Sequence, residues 1–144
     1  HLETQLGLAL IRRGFVWHGH LDGSEKVRPP INPVSEILSV QLYLPNGDTT
    51  PIDPALVGLD QTHLRTQLSS RANLSGRVEI SFVAGFGPDW SAVPADLRHA
   101  SFMLAAHYFD TRHDVGTSGQ QTPHGVAALI AGWRPVRIGA GVAV

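Results

Sequence analysis

The sequence predicts an α+β fold: a small helical bundle with an inserted antiparallel β-sheet and hairpin at about 12–85. The bundle comprises an N-terminal helix end, a long helix over 94–112 and a short helix over 122–132. Three observations carry this. Apolar and polar residues alternate over 37–44 and again over 77–84, the period of two that half-buried strands require. The first of these runs ends in Pro45-Asn46-Gly47-Asp48, a hairpin signal because Asn-Gly accepts the positive φ of a tight reversal. From Pro94 the period changes, and the chain to about Arg112 is rich in Ala and Leu with no internal Gly or Pro.

Taken in order, the chain opens at His1 and not at Met, and residues 1–8 read as the last turns of a helix closing near Gly7. Further residues are therefore expected ahead of His1. From Arg12 to Leu21, Phe15, Trp17 and Leu21 share one parity while Arg12, His18 and His20 share the other, which predicts a strand with its histidines outward. Residues 22–26 read as a loop, and Pro29, Pro30 and Pro33 hold the next stretch extended. In the second strand, Leu38, Val40, Leu42 and Leu44 are expected on one face and Ser39, Gln41 and Tyr43 on the other, with a return strand over 49–53. Residues 54–75 have a weak apolar pattern and receive no assignment. The third strand places Val78, Ile80, Phe82 and Ala84 inward and stops at Gly85-Phe86-Gly87-Pro88.

On the long helix, a turn of 100° per residue gathers Leu97, Ala100, Leu104 and Tyr108 on one apolar face. Phe102 and Phe109 fall on a second face beside Arg98 and Ala105. Two apolar faces call for two partners. A linker over 116–121 leads to Thr122-Pro123, which opens the short helix with Val126, Leu129 and Ile130 at helical spacing. Residues 1–134 are read as one domain and 135–144 as an extended, apolar tail.

Composition narrows the function. The chain has 144 residues, 42% hydrophobic and 16% charged, enough for one core. With 11 Lys+Arg against 12 Asp+Glu it has no basic footprint for a nucleic-acid backbone, so contact with DNA is expected to be incidental. The absence of cysteine excludes disulfides, thiolate metal sites and a cysteine nucleophile. There is no apolar run of membrane-spanning length and no basic-then-apolar leader, so the reading is a soluble protein that meets no membrane and is made inside the cell.

Eight histidines raise the question of a metal. His18 and His20 share a strand face, but no third ligand can be named, and a solvated pair explains the spacing equally well. His99 and His107 share a helix face, yet eight residues of rise separate them by about 12 Å, beyond the reach of one ion. There is no Gly-x-Ser-x-Gly elbow, no phosphate-cradling glycine loop and no paired carboxylates. An enzyme is therefore not expected, and neither is a cofactor. Trp17 belongs to the core by parity; Trp90 and Trp133 fit either a core rim or an interface anchor.

The run Val93-Pro94-Ala95-Asp96-Leu97-Arg98-His99-Ala100, continued by Leu104-Ala105-Ala106-His107-Tyr108-Phe109-Asp110-Thr111-Arg112, resembles the signature helix of the phage head–tail connector (adaptor) family. Phe82-Val83-Ala84-Gly85-Phe86-Gly87 resembles the strand end that precedes it there, and Val126 to Arg134 resembles the family's short final helix. The likeness covers most of residues 28–134. Versions of this family occur in gene transfer agents as well as in long-tailed phages. The resemblance implies a structural ring, commonly of twelve copies, in the neck of the particle between capsid and tail. Its partners would be the portal ring, a head-closure (stopper) or tail protein and other copies of itself, with DNA only passing through the lumen. A ring needs heterologous contacts, and combined with the two-faced helix this assigns Arg98, Phe102, Phe109 and Arg112 to the subunit interface. Trp133, Arg134, Val136, Arg137, Ile138, Val142 and Val144 are assigned to the portal contact, the tail adding as a strand to an exposed edge. Another neck or tail component, such as a head-closure protein, is the alternative; such proteins are expected to be mostly β. A small histidine-dependent metalloenzyme is the more distant one.

Overall fold

The computed structural model describes residues 1–23, 26–62, 65–72, 74–113 and 122–134. The chain divides into two compact units, one built from His1–Leu6 and the chain from Pro94 onward, the other from Gly7–Val93. The second is thus inserted into the first in sequence. Both predicted classes of element are present, and the fold is α+β.

In the inserted unit a four-stranded antiparallel sheet runs in the order β1 (Arg13–Asp22), β6 (Ser75–Ala84), β2 (Val34–Tyr43), β3 (Thr49–Ile52). A hairpin of β4 (Val57–Thr62) and β5 (Arg65–Ser70) forms a second sheet. The alternation read in β6 is realised: Val78, Ile80, Phe82 and Ala84 are buried. β1 pairs with it so that Trp17 lies opposite Ile80 and Phe15 opposite Phe82. The two phenyl rings stack at 5.8 Å between centroids. Trp17 packs against the core as expected. Its indole lies across Gly19, where an added Cβ would sit 2.1 Å from the ring.

The second strand departs from its expected facing. Nine residues of β2, Val34 to Leu42, run against seven of β6, Val78 to Ala84, because the register shifts between Val34 and Glu36 and again between Ile37 and Ser39. Each extra residue reverses the parity. Val34 and Val40 are therefore buried, with Ile37 and Leu42 packed against the same core. Leu38, expected inward, is 52% exposed, and Leu44 is also exposed. The Asn-Gly turn forms as predicted: Leu44 N–H donates to Asp48 O at 2.8 Å and Gly47 takes φ 90°. β3, which follows, has only four residues, and one of them is Pro51.

Residues 54–75, unassigned from sequence, hold a turn at Pro54–Leu56 and the β4–β5 hairpin. Val57 and Leu68 join the core, and Leu59, paired with Leu68, packs against it. The rest of the attachment is polar. Buried Thr66 donates its backbone N–H to Asn32 Oδ1 at 2.8 Å, while its hydroxyl accepts Val34 N–H at 3.0 Å. Gln61 Nε2 donates to Val34 O at 2.6 Å. Val27 and Leu68 exchange two backbone bonds. A buried donor stripped of its acceptor costs about 1–3 kcal/mol. Thr66→Val is therefore expected to lower stability by about 2 kcal/mol in chemical denaturation, while Thr66→Ser, which keeps the oxygen, falls well short of that loss.

The strand end Ala84-Gly85-Phe86-Gly87 is a backbone crossing. Arg12 N–H donates to Gly87 O at 2.7 Å, Phe86 N–H to Leu10 O at 3.4 Å and Gly85 N–H to Pro33 O at 2.9 Å. Gly85 takes φ 133°, and a Cβ there would lie 2.5 Å from both the nitrogen and the Cα of Arg12. The motif that carried the family resemblance thus has a physical reason within this chain.

The other unit contains α1 (Leu2–Leu6), α2 (Ala95–Asp110) and α3 (His124–Ile130). α1 closes at Gly7, whose φ of 64° is the left-handed value that ends helices. α2 begins after Pro94, carries Asp96 in its first turn where the helix dipole favours a carboxylate, and runs into a 3-10 turn at Thr111–His113. α3 likewise follows Pro123 and ends in a 3-10 turn at Ala131–Trp133. Among the described residues, Leu2, Leu6, Leu97, Ala100, Leu104, Val126 and Ile130 are the buried side chains of this unit.

Candidate subunit and partner interfaces

α2 has the two faces read from its sequence. Leu97, Ala100 and Leu104 are buried, and the helix packs against α3, where Met103 lies over Gly125. A Cβ at 125 would come within 2.6 Å of the Met103 methyl. On the other face, Phe102 is 64% exposed and Phe109 62% exposed. Exposed Ala105 and Ala106 lie between them, and half-buried Arg98 and exposed Arg112 bracket the stripe. The Arg112 guanidinium sits 4.1 Å from the centroid of Phe109, a cation–π contact.

Tyr108 is a correction: expected on the core face beside Leu104, it is 43% exposed. One turn beyond Leu104, its ring meets His1 edge-on at 6.1 Å instead of entering the packed seam. α1 is further tied to this unit by Gln5, whose amide donates to Thr122 Oγ1 at 3.3 Å.

Trp133 is half-buried, and its indole N–H donates to Asp96 Oδ2 at 2.7 Å. It therefore fastens the end of the short helix to the start of the long one, while Arg134 beside it is exposed. Val136, Arg137, Ile138, Val142 and Val144 lie outside the described residues, as does the 116–121 linker.

A further surface was not foreseen. On the outer face of the large sheet, Glu79 accepts from Tyr43 Oη at 3.0 Å and lies 2.9 Å from His18 Nε2. The phenol's pKa is raised, chiefly by that hydrogen bond to Glu79. Arg77 lies 5.3 Å from the Tyr43 ring centroid and pairs across the strands with His20. The histidines do face outward, but His18 meets the Glu79 carboxylate, to which the Tyr43 phenol also donates. Their residues come from β1, β2 and β6, and only the strand register brings them together. Towards the other end of this face, Val16 is 60% exposed and stands opposite Ser81, which in turn stands opposite Ser39 beside Leu38. Exposed Glu36 lies next to them, opposite Val83. Among the described residues, no three His, Asp or Glu side chains form a group that could hold a metal ion. No helix among them is long and apolar enough to cross a membrane.

No protein-family model matches the chain. No curated protein matches it either. Solved structures do. One protein in the neck of an empty gene transfer agent particle, computed with C6 symmetry, is 37% identical over 97% of this chain and 74% of its own, with a TM-score of 0.79. Another, from the neck of a native particle computed with C12 symmetry, is also 37% identical, covering 97% of this chain and 79% of that one with a TM-score of 0.77. A third, in the virion of the native particle, matches at 37% identity, 97% and 74% coverage and a TM-score of 0.76.

A fold shared over nearly the whole length at this identity defines a structural protein of the phage type, found in the neck of the particle. The chain belongs to the phage head–tail connector family, and the solved relatives reported above come from gene transfer agent particles.

Proposed function

We propose that this protein is the adaptor subunit of the particle: copies form a ring, twelve in number, that seats on the portal and receives the head-closure or tail protein on its far side. The observation that carries this reading is the likeness over 97% of the chain to a neck protein in a particle computed with C12 symmetry. The two-faced α2 supports it, since a ring subunit must meet a neighbour as well as its own core. In this reading Arg98, Phe102, Phe109 and Arg112 form the subunit interface. Trp133, Arg134 and the tail residues Val136, Arg137, Ile138, Val142 and Val144 meet the portal. In the tail sequence Val136, Ile138, Ala140, Val142 and Val144 share one parity, the pattern of a strand added to an open edge. DNA passes through the lumen, and a formal net charge of -1 gives the chain little hold on it.

The test is to mix the protein with the portal ring of the same particle and to image the product by electron microscopy. An added collar with the portal's symmetry is the expected result. Bare portals at saturating protein overturn the proposal.

A further inference from the structure

A cyclic ring joins two different surfaces of each subunit. If Phe102 and Phe109 face a neighbour, they must meet something other than the same stripe on that neighbour. The outer sheet face holds the complement. Its exposed Val16 and Leu38 are two large apolar side chains outside the core; Val16 stands opposite Ser81, and Leu38 is the bulged residue next to Ser39 on the other side of Ser81. They flank Ser81 across two strand spacings, about 10 Å. Phe102 and Phe109 are separated by seven helical residues, also about 10 Å. The charges match as well: Arg112 lies one turn beyond Phe109, and Glu36 lies beside Leu38.

We infer that in the assembled ring the α2 stripe of each copy crosses the outer sheet face of the next, with Phe102 over Val16, Phe109 over Leu38 and Arg112 beside Glu36. This rests on the ring reading above and specifies its contact. Small side chains make the close approach possible: Ala105 and Ala106 on the helix, Ser39 and Ser81 on the sheet. The His18–Glu79–Tyr43 group borders the patch and holds the neighbouring part of the face in place.

The chain has no cysteine, so introduced thiols report without interference. Ala105→Cys and Ser39→Cys change small, exposed positions. In collars formed on portal rings, a short bis-maleimide is expected to link a mixture of the two single variants into dimers. The double variant is expected to give a ladder of higher multimers, and either single variant alone to give none. Separately, Glu36→Arg is expected to raise the protein concentration needed for half-complete collars at least tenfold, and adding Arg112→Glu to it to restore assembly. Intact collars with no cross-link, or collars indifferent to Glu36→Arg, overturn this contact and leave the ring reading standing. Wild-type protein that builds no collar overturns both.

Discussion

Replacing Gly85 by alanine is expected to lower the unfolding free energy by roughly 3–5 kcal/mol, among the largest effects a single methyl group can have. Two causes act together. A φ of 133° is one that L side chains rarely adopt, and the new Cβ would stand 2.5 Å from the Arg12 nitrogen and Cα and 2.7 Å from the Ile11 carbonyl carbon. These are backbone atoms held by the bonds of Arg12 to Gly87 and of Phe86 to Leu10, so they cannot swing aside as a side-chain tip does. Relief requires opening the crossing. In a thermal melt followed by circular dichroism, the loss appears as a fall in Tm of roughly 10–15 °C. Gly14→Ala in β1 is the matched control: nothing lies within 4 Å of its added Cβ, and its Tm is expected to stay within a degree or two of the parent. Equal losses in both variants would refute the crossing as the cause.

Phe102→Asp is expected to abolish collar formation on the portal while leaving the melt unchanged. At 64% exposure the ring contributes little to the subunit's own core, in contrast to Leu97 on the opposite face, which is fully buried. At a subunit interface an aromatic anchor of this kind contributes about 2 kcal/mol or more, roughly 30-fold in each contact. The aspartate adds a desolvated charge to that loss, and a ring repeats the loss at every contact. Collars that form at the same protein concentration as the parent would remove Phe102 from the interface. A large drop in Tm would show that its role lies inside the subunit.

The elements carried by clean periodicity were legible. β1 and β6 announce their inner faces through Phe15, Trp17 and Leu21 and through Val78 to Ala84, and the Asn46-Gly47 turn fixes the hairpin after β2. The facing of β2 was not legible, because its two bulges are set by pairing with β6 and leave no mark on Leu38 itself. The β4–β5 hairpin escaped for a different reason. It is held by Thr66, Asn32 and Gln61 as much as by Val57 and Leu68, and polar side chains that replace apolar anchors erase the alternation. On α2 the wheel placed Leu97, Ala100, Leu104, Phe102 and Phe109 on their faces but overran the packed seam at Tyr108. The partner of His18 could not be read, since Glu79 lies sixty-one residues away in sequence and only the register brings the two together.

The two edges of the large sheet are unequal. β1 offers ten residues without proline, whereas β3 offers four, of which Pro51 supplies no N–H to any strand beyond it. Copies that add edge to edge need an acceptor at both ends, and here one end is capped. Edge-to-edge addition of copies through this sheet is therefore self-terminating and does not run away into a fibre.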